Sequence, residues 1–262
     1  MKKLLITAVL VFTWCSIRGQ GDINDQQKIF FRNERTLAII LNTDGYGISY
    51  RQGKRIDFLN KRIIDFDAGT FKDPKEVKLT NQSYTSPGSF VYGKKNFVMY
   101  LRGGFGHQRE LYKKADLGGV AIRYFYSGGA VISMYKPIYY RILDPSNNYN
   151  MIEEKMDVNK LDPSMIYGKA SFFKGFDELR FIPGIYAKGG FNFEYSKEDK
   201  LIHAIEIGAQ VNIFAKDIPI MDNESNKAIY LSLFASYRFG VVLDPTNPDA
   251  NTVESLFRRK KQ

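Results

Sequence analysis

From Ala228 to Gly240 the chain reads AIYLSLFASYRFG. In an extended strand this sets Ile229, Leu231, Leu233, Ala235, Tyr237 and Phe239 on one face and Tyr230, Ser232, Phe234, Ser236 and Arg238 on the other. Period-two alternation over these thirteen residues, closed by an aromatic, is the pattern of the last strand of an outer-membrane β-barrel. In that setting the apolar face meets lipid and the polar face meets an enclosed lumen.

The N-terminal end agrees. Met1, Lys2 and Lys3 give a positive start, and Leu4–Val11 is an apolar run too short to span a bilayer. Gly19 then supplies a small residue before the first polar stretch. We read residues 1–20 as a secretory signal peptide and 21–34 as a short lead. Cys15, the only cysteine, lies in the discarded part, and Trp14 before it is too bulky for a lipoprotein cleavage site. The mature chain is therefore expected to hold no disulfide and no cysteine-ligated metal. Removing Lys2, Lys3 and Arg18 lowers the formal charge from +10 to +7. A basic exported chain with no zinc-finger spacing, helix-turn-helix pattern or basic helix points to lipid phosphates or acidic partners and away from nucleic acid. With aromatics at 15% and a mean hydropathy of −0.31, a helical membrane protein is excluded, whereas a barrel with a polar lumen fits.

Between residues 35 and 240 the alternation predicts a closed, all-β antiparallel barrel of about ten strands. These are Thr36–Thr43, Tyr46–Arg51, Arg62–Thr70, Tyr84–Tyr92, Asn96–Phe105, Val120–Tyr126, Ala130–Ile142, Leu179–Tyr195, Leu201–Ala215 and Ala228–Gly240. Asp44-Gly45 marks a tight hairpin, and Ser127-Gly128-Gly129 reads as a turn. Tyr84–Tyr92 is broken by Pro87 and Gly88, so eight strands are the alternative, reached if it and one of the N-terminal pair fail to pair. Short turns at Gly93–Lys95, Ser127–Gly129 and Ser196–Lys200 are expected on the periplasmic side. The longer links Lys72–Ser83, Gly106–Leu117, Leu143–Glu178 and Lys216–Lys227 are expected outside. A soluble β-sandwich or lipocalin-like barrel also alternates, but its core would not collect so many charges opposite a smooth apolar face.

The lumen-facing parity gathers Arg51, Asp65, Asp67, Arg102, Arg123, Lys188, Glu194, Glu206 and Arg238 into an expected internal ion-pair network. Arg180 and Lys136 are further candidates, although placing Lys136 inward also sends Ile132 and Met134 inward. A selective pore is the sharper alternative. Catalytic barrels need a positioned histidine as general base. This chain offers only His107, placed in the outer loop GHQRELY, and His203, aimed at lipid, so no catalytic, cofactor or metal residues are assigned. Arg102-Gly103-Gly104 and Lys188-Gly189-Gly190 lack a following helix and read as places of close backbone approach.

Two segments stand outside the strands. The 36 residues of Leu143–Glu178 carry Met151, Met156, Met165, Tyr167, Phe172, Phe173 and Phe176, too apolar and too long for slack. They fold as a lid over the barrel mouth or contact another protein. Residues 241–262 form a periplasmic tail: a proline-punctuated linker, then a short helix over Asn251–Lys261 with Val253, Leu256 and Phe257 on one side. Phe172, Phe173, Phe176, Val253, Leu256 and Phe257 are the candidate partner-binding residues.

Four stretches carry a resemblance: Arg35–Arg55 (RTLAIILNTDGYGISYRQGKR), Asp73–Lys78 (DPKEVK), Gly118–Gly129 (GGVAIRYFYSGG) and Lys136–Tyr140 (KPIYY). Together they resemble a family of small outer-membrane β-barrel proteins of Bacteroidota, over most of the mature chain. Such a barrel is similar to the accessory outer-membrane subunit of the β-barrel assembly (Bam) machinery. The resemblance implies no catalytic or cofactor residues. It implies other outer-membrane proteins as partners, in contact with the lipid bilayer and lipopolysaccharide. The expected function is that of a non-enzymatic structural subunit of an outer-membrane protein assembly or export complex. The alternatives are a stand-alone barrel acting as a narrow pore or surface-binding protein, and a type IX secretion accessory barrel.

Overall fold

The computed structural model describes residues 33–115, 118–144, 150–197, 200–222 and 226–243. The expected signal peptide, and the tail with Val253, Leu256 and Phe257, lie outside the described residues. In chain order the strands are β1 (Asn33–Asn42), β2 (Gly45–Arg55), β3 (Asn60–Phe71), β4 (Lys78–Leu79), β5 (Phe90–Val91) and β6 (Asn96–Tyr112). They continue as β7 (Ala121–Pro137), β8 (Tyr139–Asp144), β9 (Asn150–Lys155), β10 (Ile166–Lys169), β11 (Arg180–Glu194), β12 (Leu201–Ile218) and β13 (Lys227–Leu243).

Eight of them close into an antiparallel barrel in the order β1-β13-β12-β11-β7-β6-β3-β2. The ladder from Gly103 through Ala130, Ile185 and Ile213 reaches β13 at Ile229; the other way, through Phe66, Tyr50 and Leu37, it reaches Phe239, a slip of ten residues. That stagger tilts the strands by about 40° and leaves an interior that side chains fill. Closure pairs every wall strand on both sides, so no long backbone edge faces lipid.

The alternation is inverted relative to a soluble sheet. Leu231 is 78% exposed and Phe105 70%, whereas Asp65 and Glu206 are 0% exposed. Contiguous apolar surface on this scale is not tolerated in water, and its match to a ring of lipid makes this an outer-membrane β-barrel.

The expected ten strands become eight at two places. Tyr84–Tyr92 contributes nothing to the wall: only Phe90–Val91 is a strand, pairing with β4. The two strands expected at Val120–Tyr126 and Ala130–Ile142 are one, β7, with Ser127-Gly128-Gly129 in its middle. Glycine there serves packing and not reversal. Gly129 pairs with Gly104, where an added Cβ would come within 2.6 Å of the Tyr186 hydroxyl, so small residues make room for an inward ring. The N-terminal pair β1 and β2, one of which fails to pair in the eight-strand alternative, is intact.

Recounting the strands also reassigns the links. Residues 56–59, 113–120 and 195–200 lie at the end shared by the start of β1 and the finish of β13. The Thr43–Asp44 turn and the links 72–95, 138–179 and 219–226 lie at the other, which the loop-length rule makes the cell exterior. Gly93–Lys95 is thus exterior and not periplasmic, and Gly106–Tyr112 is wall, not outer loop. The first short turn closes on Asp57, whose Oδ1 accepts from the amides of Leu59 (2.9 Å) and Asn60 (2.8 Å).

Candidate functional site

Two features are built on this wall: the lumen filling and an exterior headpiece. In the lumen, β2 sends Arg51 inward between β3 and, across the interior, β12. Its Nε lies 2.6 Å from Asp65 and its Nη1 2.6 Å from Glu206. Glu206 also meets Arg238 at 3.1 Å and accepts from Asn192 Nδ2 (2.9 Å) and Ser236 Oγ (3.2 Å), which the register sets directly opposite on β11 and β13. Arg238 donates onward to Thr36 (3.0 Å) and Ser49 (3.2 Å). Lys188 pairs with Asp67 at 3.2 Å, Arg102 donates to Gln210 at 2.6 Å, and Arg123 pairs with Glu194. Rings lie under three of the cations: Phe125 beneath Arg51 (4.4 Å), Tyr100 beneath Arg102 (4.0 Å) and Phe234 beneath Lys188 (5.0 Å).

The structure thus brings Arg51, Asp65, Asp67, Arg102, Arg123, Lys188, Glu194, Glu206 and Arg238 into one interior. Two further candidates fall elsewhere. Arg180 is exposed at the outer end of β11. Lys136 shares the parity of Ile132, which faces outward, so it sits on the outer wall and is buried there by the chain that folds over it. Sequence reasoning missed the Lys61–Glu34 pair (2.5 Å) and Lys114, 3.1 Å from Glu194. Extending the parity of Thr36 and Asp65 toward the strand ends would have found the first; Lys114 lies in a link and follows no parity.

The outer half of the lumen is mostly apolar, with Ser133 and Asn212 as its fully buried polar side chains. Phe71, Val98, Tyr100, Val131, Ile182, Tyr186 and Phe214 form one cluster, roofed by Val91, Ile218, Ile220 and Met221. Lys95 donates its amide to Ile220 O (3.0 Å) and Asn96 its side chain to Pro219 O (2.6 Å), tying the two roofing links together. Residues from links 72–95 and 219–222 thus lie directly on this cluster, and the Leu143–Glu178 segment, expected as a lid or as a contact for another protein, bonds to both links: Val158 N to Asp222 Oδ2 (2.9 Å) and Tyr92 OH to Leu161 O (3.1 Å).

That segment builds the headpiece. Strands β10, β8 and β9 form a separate sheet over a small core of Phe90, Tyr140, Ile142, Met156, Leu161 and Ile166. Link 72–95 is laced onto it: Asn81 Nδ2 and Tyr84 OH both donate to Ser164 O, at 2.6 and 2.9 Å. Tyr140 OH bonds Lys94 O at 2.7 Å. The residues Phe172, Phe173 and Phe176 cluster with ring centroids 5.6–6.3 Å apart, against Phe97 on the outer wall. Lys136 Nζ lies 4.6 and 4.8 Å from the Phe172 and Phe176 rings and donates to Lys174 O (3.0 Å). Phe173 stays 80% exposed. Hydrogen bonds from Lys155 and then Tyr139 hold the Glu178 carboxyl below its ordinary range.

Among the described residues no group of His, Cys, Asp and Glu could hold a metal. His203 Nδ1 lies 2.9 Å from Tyr237 OH on the lipid side, and His107 lies on β6 with its ring 5.7 Å from Tyr126, not in an outer loop.

No protein-family model matches the sequence, and no curated protein matches it. Solved structures that match include Neisserial surface protein A (9% identity, 80% of this chain and 96% of that one, TM-score 0.36). Ail of Yersinia pestis, solved in complex with the heparin analogue sucrose octasulfate, matches at 7% identity over 80% and 96%, TM-score 0.36. The N-terminal β-barrel domain of Pseudomonas aeruginosa OprF matches at 8% over 81% and 98%, TM-score 0.33.

Proposed function

We propose that this chain is a sealed, non-enzymatic outer-membrane barrel that works by presenting its headpiece to another outer-membrane protein, as a structural subunit of an assembly or export complex. The observation that carries the proposal is the exposed phenylalanine cluster at the outer rim. Phe173, with Phe172 and Phe176, is held in place by Lys136 and Phe97 on the outer wall. A rigid aromatic patch beside a closed barrel is suited to anchoring a neighbour. The lumen filling supports the structural part of the reading, because charges paired across the interior brace opposite walls. The resemblance to the accessory Bam-type barrel names one such complex.

The test is site-specific photo-crosslinking from position 173 in cells, with position 160, on the far part of the headpiece, as control. The expected result is one dominant crosslinked outer-membrane protein from position 173 and none from 160. Crosslinks to lipid alone would leave a stand-alone barrel.

A further inference from the structure

At its periplasmic end the outer wall carries outward-facing charge on one side only. Arg35 on β1, Lys54 on β2, Arg62 on β3 and Arg109 on β6 all point outward and are exposed at the periplasmic end of their strands. These four strands are neighbours in the barrel. Lys54 stands directly opposite Arg62, and Arg62 opposite His107, with Arg109 the next outward position along β6. Gln52 lies opposite Arg35, with Lys54 the next outward position along β2. The four cations thus form a continuous arc immediately below an apolar band that includes Leu37, Ile48, Phe66 and Phe105.

Like charges directly across a ladder destabilise the sheet unless something neutralises them. Among the described residues nothing does: none of the four has an ion pair, and the neighbouring carboxylates are engaged elsewhere. Glu34 binds Lys61, Glu110 lies by Arg55, and Asp57 closes its own turn. The arc stops where the register carries Arg109 over to Tyr124. On the remaining strands the same end is aromatic, with Phe193, Tyr195, Tyr237 and Phe239 facing out. Such rings anchor a barrel at the interface without a counter-ion. Four cations confined to one arc therefore do more than mark the membrane boundary.

We infer that this arc is a binding site for the headgroups of anionic phospholipids in the inner leaflet. Acyl chains would lie along the apolar band and phosphates across Arg35, Lys54, Arg62 and Arg109, with the arginines offering paired donors to phosphate oxygens. The inference rests on the membrane-barrel reading but not on the proposed partner.

The test is native mass spectrometry of the full chain in non-ionic detergent, titrated with phosphatidylglycerol or with phosphatidylcholine of the same acyl composition. Wild type should prefer phosphatidylglycerol by about tenfold or more. The variant R35Q/K54Q/R62Q/R109Q should lose that preference while keeping the heat-dependent gel shift of a closed barrel. K78Q/K155Q/K160Q/K174Q, which removes as much charge from the exterior links, should retain it. An unchanged preference in the arc variant would overturn the inference. So would displacement of the lipid by millimolar glycerol 1-phosphate, which would make the arc a soluble-anion site. A wild-type chain without the gel shift would instead overturn the barrel itself.

Discussion

Glu206 shows how single residues hold the interior. It is fully buried, and its four partners come from three other strands: Arg51 from β2, Asn192 from β11, and Ser236 and Arg238 from β13. Glu206→Leu would remove the carboxylate that Arg51 and Arg238 share, leaving Arg51 with Asp65 and Arg238 with the hydroxyls of Thr36 and Ser49. Breaking a buried pair costs about 3–5 kcal/mol; because Arg51 keeps Asp65, the expected loss is near 3 kcal/mol. Urea unfolding in lipid vesicles, followed by the gel shift, measures it, and a loss below about 1 kcal/mol would mean that water solvates the lumen. Position 178 is the contrast. Its carboxylate sits in an exposed cluster with Lys155 and Tyr139, where solvent screens the pair, so Glu178→Gln should leave barrel unfolding unchanged in the same assay.

At the scale of elements, the headpiece is separable from the wall. Arg180 pairs with Tyr135, so β7 and β11 are already adjacent where link 138–179 leaves and returns. Replacing 139–178 by a short glycine-containing turn should therefore keep the gel shift while removing the partner protein that co-purifies with the full chain. Loss of the shift would show that the headpiece is needed to close the barrel. Acid should loosen the same element more gently. Glu178 has a depressed carboxyl pKa, so its contribution is present above the ordinary carboxylate range and disappears as pH falls through its lower folded value. Hydrogen exchange of the 171–179 segment should rise as pH falls below the ordinary carboxylate range, with the wall strands still protected. The contrast between wall and headpiece also explains what the sequence made readable. Strands such as β11, β12 and β13 bury one face in a polar lumen and expose the other to lipid, so parity alone placed Glu206, Lys188 and Arg238. Parity failed at Ser127-Gly128-Gly129, where Gly129 lies close against the Gly103–Gly104 backbone of β6, a cause with no local trace. It was equally silent on Lys136, whose surroundings are made by a loop more than thirty residues downstream.

At the scale of the whole molecule, the lumen is sealed twice in series. The outer layer is the apolar cluster of Phe71, Tyr100, Tyr186 and Phe214 under its roof of Val91, Ile220 and Met221. The inner layer is the network centred on Arg51 and Glu206. The layers share no principal residue, so loss of one leaves the other standing. An eight-strand barrel is narrow enough for side chains alone to fill it, whereas aqueous channels use about sixteen strands. Wild-type protein in planar bilayers should therefore show no unitary conductance steps. Phe71→Ala with Phe214→Ala, which thins only the apolar layer, should also stay silent, as should Arg51→Ala with Asp65→Ala and Glu206→Ala, which thins only the charged one. Steps should appear only when both sets are combined. Conductance in wild type would make the chain a pore and remove the structural-subunit reading. Conductance in either single-layer variant would show that one layer alone closes the lumen and that the other serves stability.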